Sequence, residues 1–141
     1  KYDYGIIIKD LPERVILLSD TLEVPTLDNL WNYLSHFYDR ITPELKDQFD
    51  FEDLAGIYTE NGLSRLFAVC TRYAQIGGVK VLPKGKYLCA NCTEENREQT
   101  LRKLIHIAQT EYGVEPRFTV QLIVVSGILQ WNYEAQVYVD R

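Results

Sequence analysis

A short motif occurs twice in this chain and sets the frame for the rest. Lys-Asp-Leu-Pro begins at Lys9 and Lys-Val-Leu-Pro begins at Lys80, 71 residues later (80 − 9) in a chain of 141. Each copy continues into charged residues, an apolar strand-like run, an amphipathic helical pattern and two strand-like runs around a turn. A repeated supersecondary unit determines the architecture before any single element does. The sequence therefore predicts an α+β fold of tandem pseudo-symmetric β-β-α-β-β repeats, forming a curved antiparallel sheet with two helices and a pocket between the halves.

Length and charge narrow the class of protein. We expect one domain over residues 1–141, made of two repeats at about 1–76 and 77–141. The net charge of −5 and the lack of a Lys/Arg cluster disfavour nucleic-acid binding by this chain. The longest apolar runs, such as 122–125, are too short to cross a bilayer, and no signal peptide opens the chain. We expect a cytoplasmic protein without membrane contact, and a fragment whose upstream part is missing, since it begins at Lys1.

In the first half, strands are predicted over residues 4–8 and 14–19. A hairpin is predicted over 52–59 and 63–71, because Asn61-Gly62 tolerates the positive φ of a tight turn. Between them, a helix is predicted from an N-cap at Thr26, because apolar residues recur at three- and four-residue spacing. These apolar positions are Leu27, Leu30, Trp31, Leu34, Tyr38 and Ile41.

The second half repeats this plan after a joint at Gly77-Gly78. Strands are predicted over 79–82, 86–92, 118–125 and 131–139, the last two joined around Ser126-Gly127. A helix is predicted from a Thr93 cap to about Tyr112, with Gly113 as its stop.

Motifs for catalysis, metals and cofactors are weak. Cys89 and Cys92 form a Cys-x-x-Cys, but residues three apart on a regular strand face opposite sides. Buried, reduced cysteines are the main expectation, with a redox pair or a zinc site as alternatives. His36 and His106 have no paired spacing, and Gly77-Gly78 is not followed by a phosphate-binding pattern. We predict no catalytic residue, metal or cofactor.

The last two strands carry the polar residues of interest. Alternation places Tyr133 on one face of the final strand and Glu134 on the other. Gln121 is polar within an apolar strand, so it needs a partner if it is buried, and Tyr133 could supply one. An exposed Gln121 on the outer face is the alternative.

Several short segments resemble a known family. Residues 8–14, 82–87 and 101–105, with Tyr133, resemble GyrI-like effector-binding domains, and the second half is similar to the drug-binding domain of MerR-type multidrug-sensing activators. The resemblance spans essentially the whole chain. It implies a lipophilic or aromatic small-molecule ligand in an aromatic pocket between the repeats. It also implies DNA contact only through an N-terminal helix-turn-helix that this chain lacks, and a full-length homodimer.

The resemblance also assigns positions. Tyr133 matches a pocket tyrosine on the last strand, and Trp31 falls near another pocket aromatic. Gln121 stands where the family has a buried glutamate, and Arg97 where it has a third tyrosine, which weakens the expectation of a cationic ligand. Glu60 and Glu134 are possible substitute acids. The expected ligand-binding residues are Tyr133, Gln121, Trp31, Tyr58, Phe67 and Glu134.

Three functions follow from this interpretation. The first is the small-molecule sensing domain of a bacterial transcriptional regulator. The alternative is a stand-alone GyrI-like protein that binds a partner protein or sequesters small toxic compounds. The third is an enzyme, which would need a buried acid in the pocket. Because Gln121 stands at the family's acid position, we expect that the chain is not an enzyme.

Overall fold

A computed structural model describes residues 5–22, 47–125 and 131–140. Within these residues the chain forms one antiparallel sheet of eight strands and one helix, so the fold is α+β. The strands are β1 (Ile7–Leu11), β2 (Arg14–Leu22), β3 (Asp50–Glu60), β4 (Leu63–Arg72), β5 (Val79–Leu82), β6 (Gly85–Thr93), β7 (Phe118–Val125) and β8 (Trp131–Tyr138). The helix, α1, is Arg97–Glu111.

Short connections force this sheet to curl. The strand order is β1-β6-β8-β7-β3-β4-β2-β5, so β1 and β2 lie six positions apart although residues 12–13 alone join them. Residues 83–84 join β5 to β6 over the same separation. Two intervening residues reach at most about 11 Å, whereas six strand spacings of a flat sheet span about 29 Å. The sheet therefore curls until its ends approach, with β1 and β5 as its edges.

The strand order has a two-fold character. If β1 is exchanged with β5, β2 with β6, β3 with β7 and β4 with β8, the strand order becomes the original order read from the opposite edge of the sheet. The two sets of strands meet where β3 pairs with β7, with Gly56 opposite Leu122 and Glu60 opposite Phe118. We call this line the seam.

The two faces of the sheet carry different cores. On the helix face, Leu104 and Ala108 of α1 pack against strand residues that include Leu88, Tyr133 and Val137. The opposite, inner face has its own apolar cluster, and the curl of the sheet turns this face inward. This cluster contains Ile16, Tyr58, Phe67, Val69, Leu82 and Val120.

Local signals predicted the turns well. Asn61 and Gly62 have φ of 54° and 76° and join β3 to β4, which confirms the hairpin. Gly113, at φ 63°, follows α1 and confirms the predicted stop.

The predicted starts of the first strand and of the helix were less accurate. The predicted Thr93 cap is wrong, because β6 continues through Thr93 and α1 begins at Arg97. Thr93 instead donates its backbone N–H to Asn96 Oδ1, at 2.7 Å, in the turn before the helix. The first strand lies at Ile7–Leu11 rather than 4–8. The predicted first helix and the Ser126-Gly127 turn fall outside the described residues.

Across the described ranges, no helix is both long and apolar enough to span a membrane.

Candidate functional site

A cavity of about 490 Å³ lies beside the seam, and residues from both sets of strands line it. This volume is within the range of small-molecule sites, about 300–1,000 Å³. We call it the seam groove. Its lining residues are Tyr58, Glu60, Lys80, Pro83, Val114, Glu115, Pro116, Arg117, Phe118, Tyr138 and Asp140.

A row of aromatic rings forms the apolar wall of the seam groove. The rings of Tyr58 and Phe118 stack with centroids 5.6 Å apart, and Phe118 and Tyr138 stack at 6.2 Å. Tyr87, opposite Tyr138 in the pairing of β6 with β8, extends the row at 4.9 Å. The row forms because β3, β7, β8 and β6 are neighbours and these side chains all point to the inner face. Such rings offer a rigid wall for flat or apolar ligands.

Three polar groups stand at the end of this row. The Tyr58 hydroxyl donates to Glu60 Oε1 at 2.8 Å, and Lys80 Nζ donates to the same oxygen at 2.7 Å. Lys80 Nζ also lies 5.3 Å from the centre of the Tyr58 ring. The bond from Lys80 holds the pKa of Glu60 below its usual range, and burial raises the pKa of Tyr58. A second cavity of about 400 Å³ is lined by the same three residues, so they form a wall common to both cavities.

A hydrogen-bonded network of polar side chains from β1, β8 and β2 also lies on the inner face of the sheet. Lys9 Nζ pairs with Glu134 Oε2 at 2.6 Å, and the bond from Lys9 to Glu134 raises the pKa of Lys9. Gln136 donates from Nε2 to Glu134 Oε1 at 2.7 Å, and its Oε1 accepts a hydrogen bond from Arg14 Nη1 at 2.8 Å. The Arg14 guanidinium also lies 5.2 Å from the centre of the Tyr87 ring. This network connects β1 and β8 to β2, which is distant from them in the strand order, and thereby stabilises the curled sheet.

The helix face carries a separate polar cluster. Tyr133 is fully buried and donates its hydroxyl to Glu94 Oε1 at 2.5 Å. Burial, reinforced by Glu94, raises the pKa of Tyr133. The guanidinium of Arg97 lies 5.3 Å from the centre of the Tyr133 ring and donates from Nη1 to Gln121 Oε1 at 3.1 Å. Gln121 is buried, and its hydrogen-bond partner is Arg97 rather than Tyr133.

Five of the six residues that sequence reasoning grouped as ligand-binding are described, and they lie on two different faces of the sheet. Tyr58 lines the seam groove, and Phe67 is buried in the apolar cluster of the same face. Glu134, also on the inner face, is bound to Lys9. Tyr133 and Gln121 lie on the helix face, and Trp31 is outside the described residues. Their shared role in one pocket stays a prediction.

Most residues that line the seam groove were missed from the sequence, among them Phe118, Tyr138 and Lys80. Phe118 and Tyr138 could have been found, since alternation along β7 and β8 places them on the inner face. Lys80 could not have been found from the sequence, because its partner Glu60 is 20 residues away on another strand and no local spacing links the two. Glu60, proposed as a substitute acid, does line the groove.

The three cysteines are buried and reduced, as expected. Cys89 lies opposite Gln136 on the inner face, and Cys92 lies opposite Tyr133 on the helix face, so they point away from each other. Within the described ranges, no group of three or more His, Cys, Asp and Glu side chains could hold a metal ion.

Comparisons with known proteins bear on the fold. No protein-family model and no curated protein matches the sequence. The chain is similar to a crystal structure from Staphylococcus aureus MU50 described as a proposed bacterial transcription regulation protein. The identity is 14%, the match covers 94% of this chain and 96% of that one, and the TM-score is 0.50. The structure of SAV2435 bound to tetraphenylphosphonium is 11% identical over 95% and 94% of the two chains, with a TM-score of 0.46. The first similarity shows a shared fold over nearly the whole length.

Proposed function

We propose that this chain is a small-molecule-binding domain that senses an effector for a bacterial transcription regulator, with the ligand held in the seam groove. The observation that carries the proposal is the groove itself, a cavity of about 490 Å³ with an aromatic wall supplied by β3, β7 and β8. Concave sites with aromatic walls and a few fixed polar groups are typical of ligand pockets.

The position of the groove supports a sensing role. We infer that the chain is a tandem repeat of the GyrI-like type, and the exchange symmetry of the strand order supports this. A ligand in the seam groove would touch Tyr58 and Glu60 from one half and Phe118 and Tyr138 from the other. Its binding free energy would then favour one arrangement of the halves over another, which is the physical requirement for an allosteric signal. The resemblance to MerR-type activators suggests that an N-terminal helix-turn-helix in a homodimer receives this signal.

The charges in the groove favour binding over catalysis. A carboxyl group that acts as a general acid at neutral pH needs a raised pKa. Glu60 has the opposite property, because Lys80 lowers its pKa. A carboxylate held ionised in this way suits a fixed contact to a ligand, and we therefore propose a binding protein rather than an enzyme.

A thermal-shift experiment tests this function with three probes that share a phenyl ring but differ in charge. They are benzyltrimethylammonium, benzyl alcohol and phenylacetate. A ligand at 100 times its dissociation constant adds about 2.7 kcal/mol to the free energy of unfolding, which raises the melting temperature of a domain of this size by several degrees. We expect at least one probe to stabilise the protein.

The same experiment on two variants locates the binding. Phe118→Ala removes the ring between Tyr58 and Tyr138 and should abolish the shift. Tyr73→Ala, at an exposed residue outside the groove lining, should retain it. The function is refuted if no probe stabilises the wild type, or if the shift in folded Phe118→Ala equals that of the wild type.

A further inference from the structure

The ammonium group of Lys80 lies between an aromatic ring and a carboxylate, an arrangement that binds cations. Its nitrogen lies 5.3 Å from the centre of the Tyr58 ring and 2.7 Å from a carboxylate oxygen of Glu60. An aromatic face combined with a carboxylate attracts organic ammonium groups, because the ring quadrupole and the negative charge act on the same cation. We call Tyr58 and Glu60 the cation seat.

The aromatic part of the seat, Tyr58, is packed more tightly than Lys80. The Tyr58 residue is buried, is stacked on Phe118 and donates its hydroxyl to Glu60. Lys80 comes from the edge strand β5, and its side chain is 41% exposed. A lysine stem has several rotatable bonds and a strongly hydrated head group. Lys80 can therefore leave the seat for solvent while Tyr58 keeps its position and its hydrogen bond to Glu60.

The seat also lies where a ligand would reach it. Tyr58, Glu60 and Lys80 line both the seam groove and the neighbouring cavity of about 400 Å³. A ligand whose ring packs on Phe118 could therefore direct a charged group toward Glu60, at the position that the Lys80 ammonium holds.

We propose that Lys80 is an internal occupant of an organic-cation subsite, and that a ligand carrying a quaternary or protonated amine displaces it. This inference rests on the proposed function of the seam groove. Lys80 sets the selectivity of the groove, since it weakens the binding of cations and leaves the aromatic wall open to uncharged rings. Glu60 supplies the attraction for whichever cation is seated.

The cost of displacing Lys80 determines the size of the effect. When the binding-competent state is only a fraction of the population, the apparent dissociation constant rises by the inverse of that fraction. For a partly exposed ion pair with one cation–π contact, removing the competitor should tighten cation binding roughly fivefold to tenfold.

The experiment measures the dissociation constants of benzyltrimethylammonium, benzyl alcohol and phenylacetate by calorimetric titration. Lys80→Met removes the ammonium and keeps an unbranched apolar stem. We expect it to tighten benzyltrimethylammonium binding roughly fivefold to tenfold, with less than a twofold change for benzyl alcohol. Lys84→Met is the matched control, since it removes the same charge from an exposed residue outside the groove lining; we expect it to leave all three constants unchanged.

Glu60→Gln gives the reciprocal test. Without the carboxylate, benzyltrimethylammonium should lose most of its affinity. The Lys80 ammonium loses its partner at the same time, so phenylacetate should bind more tightly than it does to the wild type.

A direct readout follows the Lys80 side chain. The Tyr58 ring should shift the Lys80 Hε resonances upfield, and Lys80→Met assigns them. Saturating benzyltrimethylammonium should return them to ordinary lysine values. The inference fails if Lys80→Met leaves cation affinity unchanged or weaker while any probe still binds the wild type. If no probe binds wild type or variants, the proposed function fails and this inference fails with it.

Discussion

Arg97 and Gln121 form a buried hydrogen bond between the first residue of α1 and the strand β7. Arg97 Nη1 lies 3.1 Å from Gln121 Oε1, and the two residues are 6% and 4% exposed. Arg97 Nε also lies 3.4 Å from Glu94 Oε2. A buried guanidinium is tolerated when acceptors surround it. This pair therefore anchors the start of the helix to the sheet.

The first prediction concerns Gln121. Sequence reasoning suggests that Gln121→Glu should restore affinity for lipophilic cations, but a carboxylate there would be paired with Arg97. We expect Gln121→Glu to leave the affinity for benzyltrimethylammonium unchanged and to keep the stability at or above that of the wild type. Gln121→Leu, which takes an acceptor from Arg97, should lower the free energy of unfolding by about 1–3 kcal/mol. Urea denaturation and titration measure both; tighter cation binding by Gln121→Glu would contradict this view.

A second prediction concerns Tyr133 and Glu94. Tyr133→Phe deletes the hydroxyl that donates to Glu94 Oε1 but keeps the ring in the core, so it should cost about 1.5 kcal/mol of stability. Tyr133→Ala removes a fully buried ring and should cost about 3–5 kcal/mol. Because Tyr133 lies on the helix face, Tyr133→Phe should not alter binding of the probes in the seam groove. Altered affinity in a folded Tyr133→Phe protein would place Tyr133 in the ligand site.

Period-two alternation predicted the faces of β8 correctly, because one face of each strand is buried and the register is therefore fixed. Tyr133 and Glu134 accordingly point to opposite sides, as expected. Alternation alone could not show that both faces are buried. That result depends on the curl, and the curl depends on which distant strands residues 12–13 and 83–84 connect.

The candidate site was harder to predict for the same reason. A two-residue connection usually joins paired strands, yet here it joins β1 to β2 across the width of the sheet. The contacts of Lys80 with Glu60 and of Arg14 with Gln136 arise between strands that are not neighbours in the sheet. No pattern within one segment encodes such contacts.

The cysteines give a third prediction, on pH. Burial raises the pKa of Cys89 to about 12 and that of Cys70 to about 11, from a value of 9.0 in the unfolded chain. The folded protein thus holds these protons when the unfolded chain releases them. The stabilisation is complete below pH 9.0 and is lost as the pH rises toward 11 and 12, with a slope of up to about 1.4 kcal/mol per pH unit for each thiol.

Two measurements check this behaviour. Urea denaturation between pH 8 and 10.5 should show a falling free energy of unfolding, and a Cys70→Ala, Cys89→Ala variant should show a shallower fall. At pH 8, a thiol-specific disulfide reagent should react slowly with the folded protein and quickly with all three cysteines in denaturant. A thiol that reacts rapidly in the folded state would instead indicate an exposed, activated cysteine.

The last prediction concerns the seam itself. Gly56 lies on β3 opposite Leu122, and a Cβ added there would come within 2.5 Å of the Gln121 carbonyl oxygen and 2.8 Å of the Phe67 ring. The carbonyl belongs to the neighbouring strand and cannot rotate away, so β3 and β7 would have to separate. Gly56→Ala should therefore lower the free energy of unfolding by about 1–3 kcal/mol, and it should also weaken probe binding, since the groove is built across this pairing. Gly77→Ala is the matched control, because its Cβ would meet no atom within 4 Å and should leave stability and binding nearly unchanged. Equal stability of the two variants in urea denaturation would show that β3 and β7 are not packed this closely.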